Sequence, residues 1–359
     1  MIAVIADDFT GAAELGGISL RYGLKVELCV GEVEYGNADV LIVSTDSRSL
    51  NKDQAIAVTE KAVKQILQLK PKWIYKKIDS VLRGYVLDEA RVQMQLMNKS
   101  KAFIMPANPS LGRTIKNGQY FVNGIKINEA GFEHDPEFPV TASSVREILN
   151  DEVEVVKAGD KATNGIIVGG AEMFGDYELW VDEADSETVL VGAGDFFTAL
   201  LNQAYEIKQE HGFEMRKPHL YVSGTAFKER KAQIKNSDCV SYLPDLPGDE
   251  WLTKTGDIIR KFQKAIIAID GSPAAPAALR MTMATAVKEL AERESIKEIF
   301  IEGGSTAAAV LQEMSIKRLE PINELERGVV RMKANDVFIT AKPGSYRLPE
   351  QIKELYSLK

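Results

Sequence analysis

At 359 residues the chain exceeds one comfortable hydrophobic core, so two domains are the default expectation. Its 45% apolar content is ordinary for a globular protein, and 52 acidic against 44 basic side chains give a net charge of −8. That balance excludes a broad basic surface for a nucleic-acid backbone, so an anionic ligand has to be held by local donors.

The chain opens with an apolar run, Ile2 to Ala6, that breaks into Asp7-Asp8-Phe9-Thr10-Gly11 before a helical pattern starts. This reads as a buried strand delivering two carboxylates to a sheet edge, where open α/β sheets collect their ligands. For a single acid there the plainer reading is a helix cap, Asp8 or Thr10 serving as the capping residue. Two adjacent acids need a shared cation or proton to offset their repulsion. Gly23 reads as the C-terminal stop of the first helix. Further strands are predicted over 25–30, 39–45, 73–78 and 101–106. Ala55, Ile56, Thr59, Ala62, Val63, Ile66 and Leu67 recur at helical spacing before the fourth of the five. The segment 120–127 carries Asn123-Gly124 and predicts a hairpin leaving the main sheet. Strands follow over 165–169 and 188–192, with a helix over 196–205.

Lys208 to Lys217 is charged and poor in apolar residues, and includes His211 and Gly212; it is the best linker candidate. Beyond it the alternation restarts, with strands over 220–222, 265–270 and 298–301 and helices over 226–236, 250–264, 277–292 and 305–314. The fold class is therefore α/β, two domains with mostly parallel sheets flanked by helices. Cys29 and Cys239 form no disulfide or metal framework and read as core packing, which suits a reducing cytosol. The start has no signal-peptide pattern, and no uncharged apolar run approaches the roughly 20 residues of a membrane helix. A soluble cytoplasmic protein with no membrane or nucleic-acid partner is expected; the sequence neither specifies nor excludes a homodimer. His134, His211 and His219 show no ligand spacing, and no metal-binding residue is assigned. Trp73, Met281 and Met283 read as packing.

Several strand ends carry chemistry. Tyr75-Lys76-Lys77-Ile78-Asp79-Ser80-Val81-Leu82-Arg83-Gly84 sets an arginine fork and a lysine point charge beside hydroxyl donors, which suits a carboxylate with neighbouring hydroxyl groups. The plainer alternative is a solvated loop in which Asp79 caps the next helix and pairs with Arg83. Pro106-Ala107-Asn108-Pro109-Ser110-Leu111-Gly112-Arg113 is a stiff loop that presents Arg113 in a fixed direction. In the second half, Glu302-Gly303-Gly304-Ser305-Thr306 between a strand and a helix is a candidate phosphate cradle. Ser223-Gly224-Thr225 and Lys342-Pro343-Gly344-Ser345 add two more small-residue loops, and three in one domain point to a nucleotide.

In this order, the ADDFTGA start, KKIDSVLRG, PANPSLGR, VSGT, EGGSTAAAVL and the terminal KPGS resemble the four-carbon acid sugar kinase family over nearly the whole chain. The resemblance implies an acid-sugar-binding domain over 1–210 and a nucleotide-binding domain over 218–359. It implies transfer of phosphate from ATP, with Mg²⁺, to the terminal hydroxyl of a threonate, erythronate or 3-oxo-tetronate type acid in the cleft between the domains. By motif position, Thr10, Gly11, Lys77, Asp79, Ser80, Arg83, Gly84 and Arg113 fall at the acid sugar. Asp7, Asp8 and Arg83 are the catalytic candidates. Ser223, Gly303, Gly304, Ser305, Thr306 and Gly344 fall at the nucleotide.

The chain also departs from the family. Ser305 stands where members often carry an acid, and Gly344-Ser345-Tyr346 replaces a Gly-Asn-Phe. Gly192-Ala193-Gly194-Asp195 resembles the GAGD turn of ribokinase-type sugar kinases, in which the Asp is the base; its simpler reading is a helix start capped by Asp195. A ribokinase-like kinase of neutral sugars and a non-catalytic acid-sugar sensor are the alternatives.

Overall fold

The computed structural model describes residues 1–34, 36–135, 138–149, 153–161, 165–208, 214–225, 228–270, 275–344 and 346–358. The chain divides into two compact units, Met1–Lys208 and Gln209–Lys359. Part of the linker candidate, His211 and Gly212 included, lies outside the described residues, as do Ser345 and positions 226–227 at the start of one predicted helix.

Unit 1 runs β1 (Ile2–Ala6), α1 (Phe9–Arg21), β2 (Val26–Val30), β3 (Val40–Ser44), α2 (Lys52–Gln68), β4 (Ile74–Lys77), α3 (Val86–Met97) and β5 (Lys101–Met105). It continues through β6 (Arg113–Lys116), β7 (Gln119–Val122), β8 (Ile125–Lys126), α4 (Val145–Ile148), β9 (Glu154–Val156), β10 (Gly165–Gly169), α5 (Asp176–Glu183), β11 (Thr188–Gly192) and α6 (Gly194–Asn202). Eight parallel strands lie in the order β2-β3-β1-β4-β11-β5-β10-β9. Both faces are covered by helices, which is why β1 and β3 are apolar nearly throughout and β1, β3 and β4 are all buried along their length. From β1 the chain goes to one side of the sheet and from β4 to the other, so the β1/β4 boundary is the topological switch point where such folds bind ligands.

Asp8 caps α1, its carboxylate accepting from the Gly11 amide at 2.8 Å, and the helix stops at Gly23, whose φ of +68° only a residue tolerant of the left-handed region adopts. The predicted hairpin is present: Asn123 and Gly124 take φ of 50° and 80° between β7 and β8, in a separate three-stranded sheet β6-β7-β8. A second Asn-Gly turn, Asn117-Gly118, joins β6 to β7 and escaped the sequence reading.

Unit 2 contains β12 (His219–Ser223), α7 (Lys228–Lys235), β13 (Val240–Tyr242), α8 (Asp249–Phe262), β14 (Lys264–Ala268), α9 (Pro276–Arg293) and β15 (Glu298–Glu302). It ends with α10 (Gly304–Glu313), β16 (Arg318–Glu326), β17 (Val329–Ala334), β18 (Val337–Lys342) and α11 (Glu350–Tyr356). Strands β13-β14-β12-β15-β18 are parallel, and β17 and β16 add antiparallel strands beside β18. This antiparallel pair was not predicted, because the charges of Arg318 to Glu326 blur the two-residue alternation. Met283 is buried as expected, whereas Met281, two residues away on α9 and so on another face, is 49% exposed and does not pack in the core. Neither cysteine forms a disulfide, and both are buried. No helix among the described residues is long and apolar enough to cross a membrane.

Candidate active site

Strand ends meet at the switch point of unit 1. Asp7 and Asp8 leave β1, Arg48 follows β3, Lys77 ends β4, and Asp79 and Ser80 follow it. Arg48 is the centre: its guanidinium hydrogen-bonds Asp8 and lies 3.6 Å from Asp7 and 3.3 Å from Asp79. Arg83 forks onto Asp79, Nε and Nη2 each donating at 2.9 Å, while its Nη1 donates to Asp135 at 2.7 Å. Arg113, at the start of β6, donates to the Ser80 hydroxyl, so the loops after β4 and β5 are joined. Lys77 donates to the Ile78 carbonyl at 2.9 Å and lies 3.5 Å from Glu14 of α1. Gly11 is required here, since a Cβ would stand 2.6 Å from the Asp8 carboxylate and 2.9 Å from Lys77 Nζ. Gly84, at φ +94°, lies against the stem of Arg48.

Electrostatics separates the two acids. Burial raises the Asp8 pKa, but Arg48, Lys77, the Thr10 hydroxyl and the Gly11 amide outweigh it and hold that carboxyl below its usual range. Burial dominates at Asp7 and, with repulsion from Asp8, overcomes Arg48, Lys76 and Lys77 to push it up to about 6. Asp79 is likewise buried, yet Arg83, Arg48 and Arg113 hold it far below the ordinary carboxylate range. Thr10 does not cap α1; its hydroxyl donates to Asp8 at 2.6 Å. Asp79 pairs with Arg83 as the plainer alternative held, but α3 is capped at Tyr85 and not by Asp79.

Asp195 does not cap its own helix either. The α6 N-cap is Ala193, and the Asp195 carboxylate accepts from the Ser110 amide at 2.9 Å and hydroxyl at 2.7 Å. The Asp195 amide in turn donates to Asn108 at 3.2 Å. The GAGD turn thus braces the loop that presents Arg113, a tie between residues 85 positions apart that no local pattern reveals.

In unit 2 the three small-residue loops follow β12, β15 and β18, which are neighbours: Ser223 pairs with Glu302, and Glu302 with Lys342. A Cβ on Gly224 would stand 1.9 Å from the Thr306 hydroxyl, so only glycine lets these two loops close up. The α10 N-cap, Gly303, provides no side-chain cap, and Gly304, Ser305 and Thr306 open the helix. Beneath them Glu302, 1% exposed, accepts from Tyr221 at 2.5 Å, Ser223 at 3.3 Å and Arg230 at 3.1 Å, and pairs with Lys342 at 2.9 Å. Lys342 donates to the carbonyls of Pro343 and Gly344 at 2.7 and 3.4 Å. The Ser223 hydroxyl therefore points to this carboxylate, and Ser305 is exposed at the helix start. A cavity of about 160 Å³ opens beside Ser223, between Thr225, Tyr242 and Asp270. A larger one in unit 1, about 540 Å³, lies between β6, β9 and α5 and touches none of the predicted site residues.

All the predicted acid-sugar residues thus gather at one switch point, and all the predicted nucleotide residues at three adjacent strand ends. Sequence reasoning missed Arg48, Arg230, and the roles of Glu302 and Lys342. Arg48 had a usable signal: Thr45-Asp46-Ser47-Arg48 follows a strand with the same Asp, Ser and Arg set as Asp79 to Arg83.

Residues 2–166 match the model of a sugar-binding N-terminal domain, and residues 246–346 that of a nucleotide-binding C-terminal domain. The fold is that of a two-unit α/β protein whose regions match a sugar-binding and a nucleotide-binding domain model. A D-threonate kinase of Salmonella typhimurium is 31% identical over 260 residues, covering 66% of this chain and 60% of that protein. A 3-oxo-tetronate kinase of Cupriavidus necator is 23% identical over 99% of this chain and 96% of its own length. The chain belongs to the four-carbon acid sugar kinase family. The same fold occurs in a Salmonella typhimurium crystal structure (TM-score 0.80, 18% identity, 100% of this chain and 99% of that one). It also occurs in Haemophilus influenzae HI1011 (TM-score 0.73, 19% identity, 99% and 98%).

Proposed function

We propose that this protein is an ATP-dependent kinase that phosphorylates the terminal hydroxyl of a four-carbon sugar acid of the threonate, erythronate or 3-oxo-tetronate type. The observation that carries this reading is the gathering of Asp7, Asp8, Arg48, Lys77, Asp79, Arg83 and Arg113 at one switch point of unit 1. Small-residue loops at three adjacent strand ends of unit 2, and relatives named for kinases of these acids, support it.

Phosphoryl transfer asks little covalent work of a protein, so alignment and charge stabilisation do most of it. Lys77, Arg83 and Arg113 hold the substrate carboxylate, and Ser80 and Thr10 meet its hydroxyl groups beside Gly11 and Gly84. Asp79 keeps Arg83 aimed. One carboxylate of the Asp7–Asp8 pair orients the terminal hydroxyl and takes its proton. The backbone of Gly303, Gly304, Ser305 and Thr306, with Ser223 and Gly344 beside it, holds the ATP phosphates at the start of α10. Mg²⁺ would be held by the ATP phosphates at these loops and would supply neutralisation of their charge.

ADP release measured against a panel of threonate, erythronate and 3-oxo-tetronate stereoisomers tests the reading, and turnover with at least one of them is expected. A thermal shift with an acid but no ADP would identify a sensor instead, and turnover of sugars lacking a carboxylate would identify a ribokinase-like enzyme. In the same assay Arg83→Ala is expected to raise KM for the acid by about tenfold or more, the KM for ATP staying put, because it removes a ground-state contact to the carboxylate.

A further inference from the structure

Two doublets stand side by side at the switch point, Asp7-Asp8 beyond β1 and Lys76-Lys77 at the end of β4. The strands pair in parallel with Ile5 opposite Lys76 and Ala6 opposite Lys77, and the Asp7 amide continues the ladder to the Lys77 carbonyl at 3.3 Å. Successive side chains point to opposite faces, so each doublet is split between the two helix layers. Lys77 turns to α1, toward Glu14 and the Asp8 cap. Lys76 shares its face with Ile5, which packs on Ala62, Val63 and Ile66 of α2, and its Nζ lies 2.5 Å from Glu89 of α3. Asp7 continues that same face.

Lys76 and Glu89 are 0% and 1% exposed and pair with each other beneath α3. A buried ion pair is on average no more stabilising than apolar residues of the same volume, so packing alone leaves this one unexplained. Asp7 differs from Asp8 in the same direction. Both Asp8 oxygens are engaged, by the Gly11 amide and by Thr10 and Arg48, whereas Asp7 Oδ1 is buried with no hydrogen-bond partner among the described residues. The charged groups around Asp7 are Asp8 from its own segment, Arg48 from the loop after β3, and Lys76 and Lys77 from β4, with Glu89 of α3 behind Lys76; the buried residues of α2 are uncharged.

We propose that Asp7, and not Asp8, accepts the proton of the substrate hydroxyl, and that the buried Lys76–Glu89 pair is a positioning pair setting the proton affinity of Asp7 from the side away from the substrate. The inference rests on the kinase reading. As the alcohol oxygen bonds to the γ-phosphorus, the bond to the ADP oxygen breaks and the hydroxyl proton passes to Asp7, which later releases it to water. Asp8 stays ionised and holds Arg48 and the start of α1. Since Asp7 works only when ionised, kcat/KM falls as pH drops through its pKa, pushed by burial to about 6. Removing the Lys76 charge moves that acid limb to higher pH.

The test is the pH dependence of kcat/KM for the full chain with an acid from the panel, comparing wild type, Asp7→Asn and the paired apolar variant Lys76→Met/Glu89→Leu. The expected results are a fall in kcat/KM of about 10³-fold in Asp7→Asn and an upward shift of the acid midpoint by at least half a pH unit in the paired variant. Should the paired variant not fold, Glu89→Gln leaves the Lys76 charge unopposed, and its midpoint is expected to move down. Midpoints that superpose on wild type overturn the positioning role, and near-normal kcat/KM in Asp7→Asn overturns the choice of Asp7. A wild-type chain that releases no ADP with any acid overturns the kinase reading instead.

Discussion

Arg48→Ala is expected to lower kcat/KM for the acid by about 100-fold or more and to destabilise unit 1. One guanidinium faces three carboxylates, Asp7, Asp8 and Asp79, whose side chains are only 5 to 10% exposed. Without it these acids repel one another in a poorly solvated site, and Asp7 and Asp8 each lose a principal stabilising charge. Removing one partner of a buried pair costs about 3–5 kcal/mol; Arg48 keeps 18% of its side chain exposed, and Lys77 and Arg83 remain, so the lower end of about 3 kcal/mol is expected. Arg48→Lys is expected to recover only part of the activity, because a point charge on a flexible stem reaches one acid where the planar fork spans three. Thermal unfolding and steady-state kinetics of the two variants check this, and wild-type kinetics in Arg48→Ala would show that the acids do not depend on it.

Glu302→Ala is the second large expected effect, and it falls on the other substrate. Glu302 offsets the charges of Lys342, which is 0% exposed, and Arg230, and joins the three strands that carry the small-residue loops through Ser223, its own backbone and Lys342. Burial pushes the Lys342 pKa down and Glu302 holds it back up, so removing the carboxylate favours a neutral amine. The carbonyls of Pro343 and Gly344 then lose a charged donor, and the loop before Ser345 loses its anchor. Loss of about 3–5 kcal/mol of stability is expected, as for any broken buried pair. A rise of at least tenfold in the Kd for ADP is also expected, with binding of the acid unchanged. Calorimetric titration with ADP and with the acid separately reads both. Equal weakening of the two would mean that the damage is general and not confined to the small-residue loops.

Much of this was legible in the sequence because it is written locally. An apolar run ending in Asp7-Asp8, a strand ending in Lys77-Ile78-Asp79-Ser80, and glycines between strand 298–301 and the following helix each encode a strand, its end and its chemistry within about ten residues. The alternation of such units fixes a parallel α/β sheet, since helices must cover both faces. The Asn123-Gly124 hairpin and the Gly23 stop follow from backbone sterics alone.

What only the tertiary structure decided is which of these local pieces meet and which side chain spends its hydrogen bonds where. Arg48 lies some forty positions from Asp8 and Ser110 lies 85 from Asp195, and loop closure leaves no periodic trace of either contact. The two faces of a strand separate Lys76 from Lys77 although they are adjacent in the chain, so a doublet that reads as one basic patch becomes two devices in different layers. Burial does the same for Asp7 and Asp8: identical side chains acquire opposite proton affinities because desolvation and partners are properties of the folded site and not of the residue.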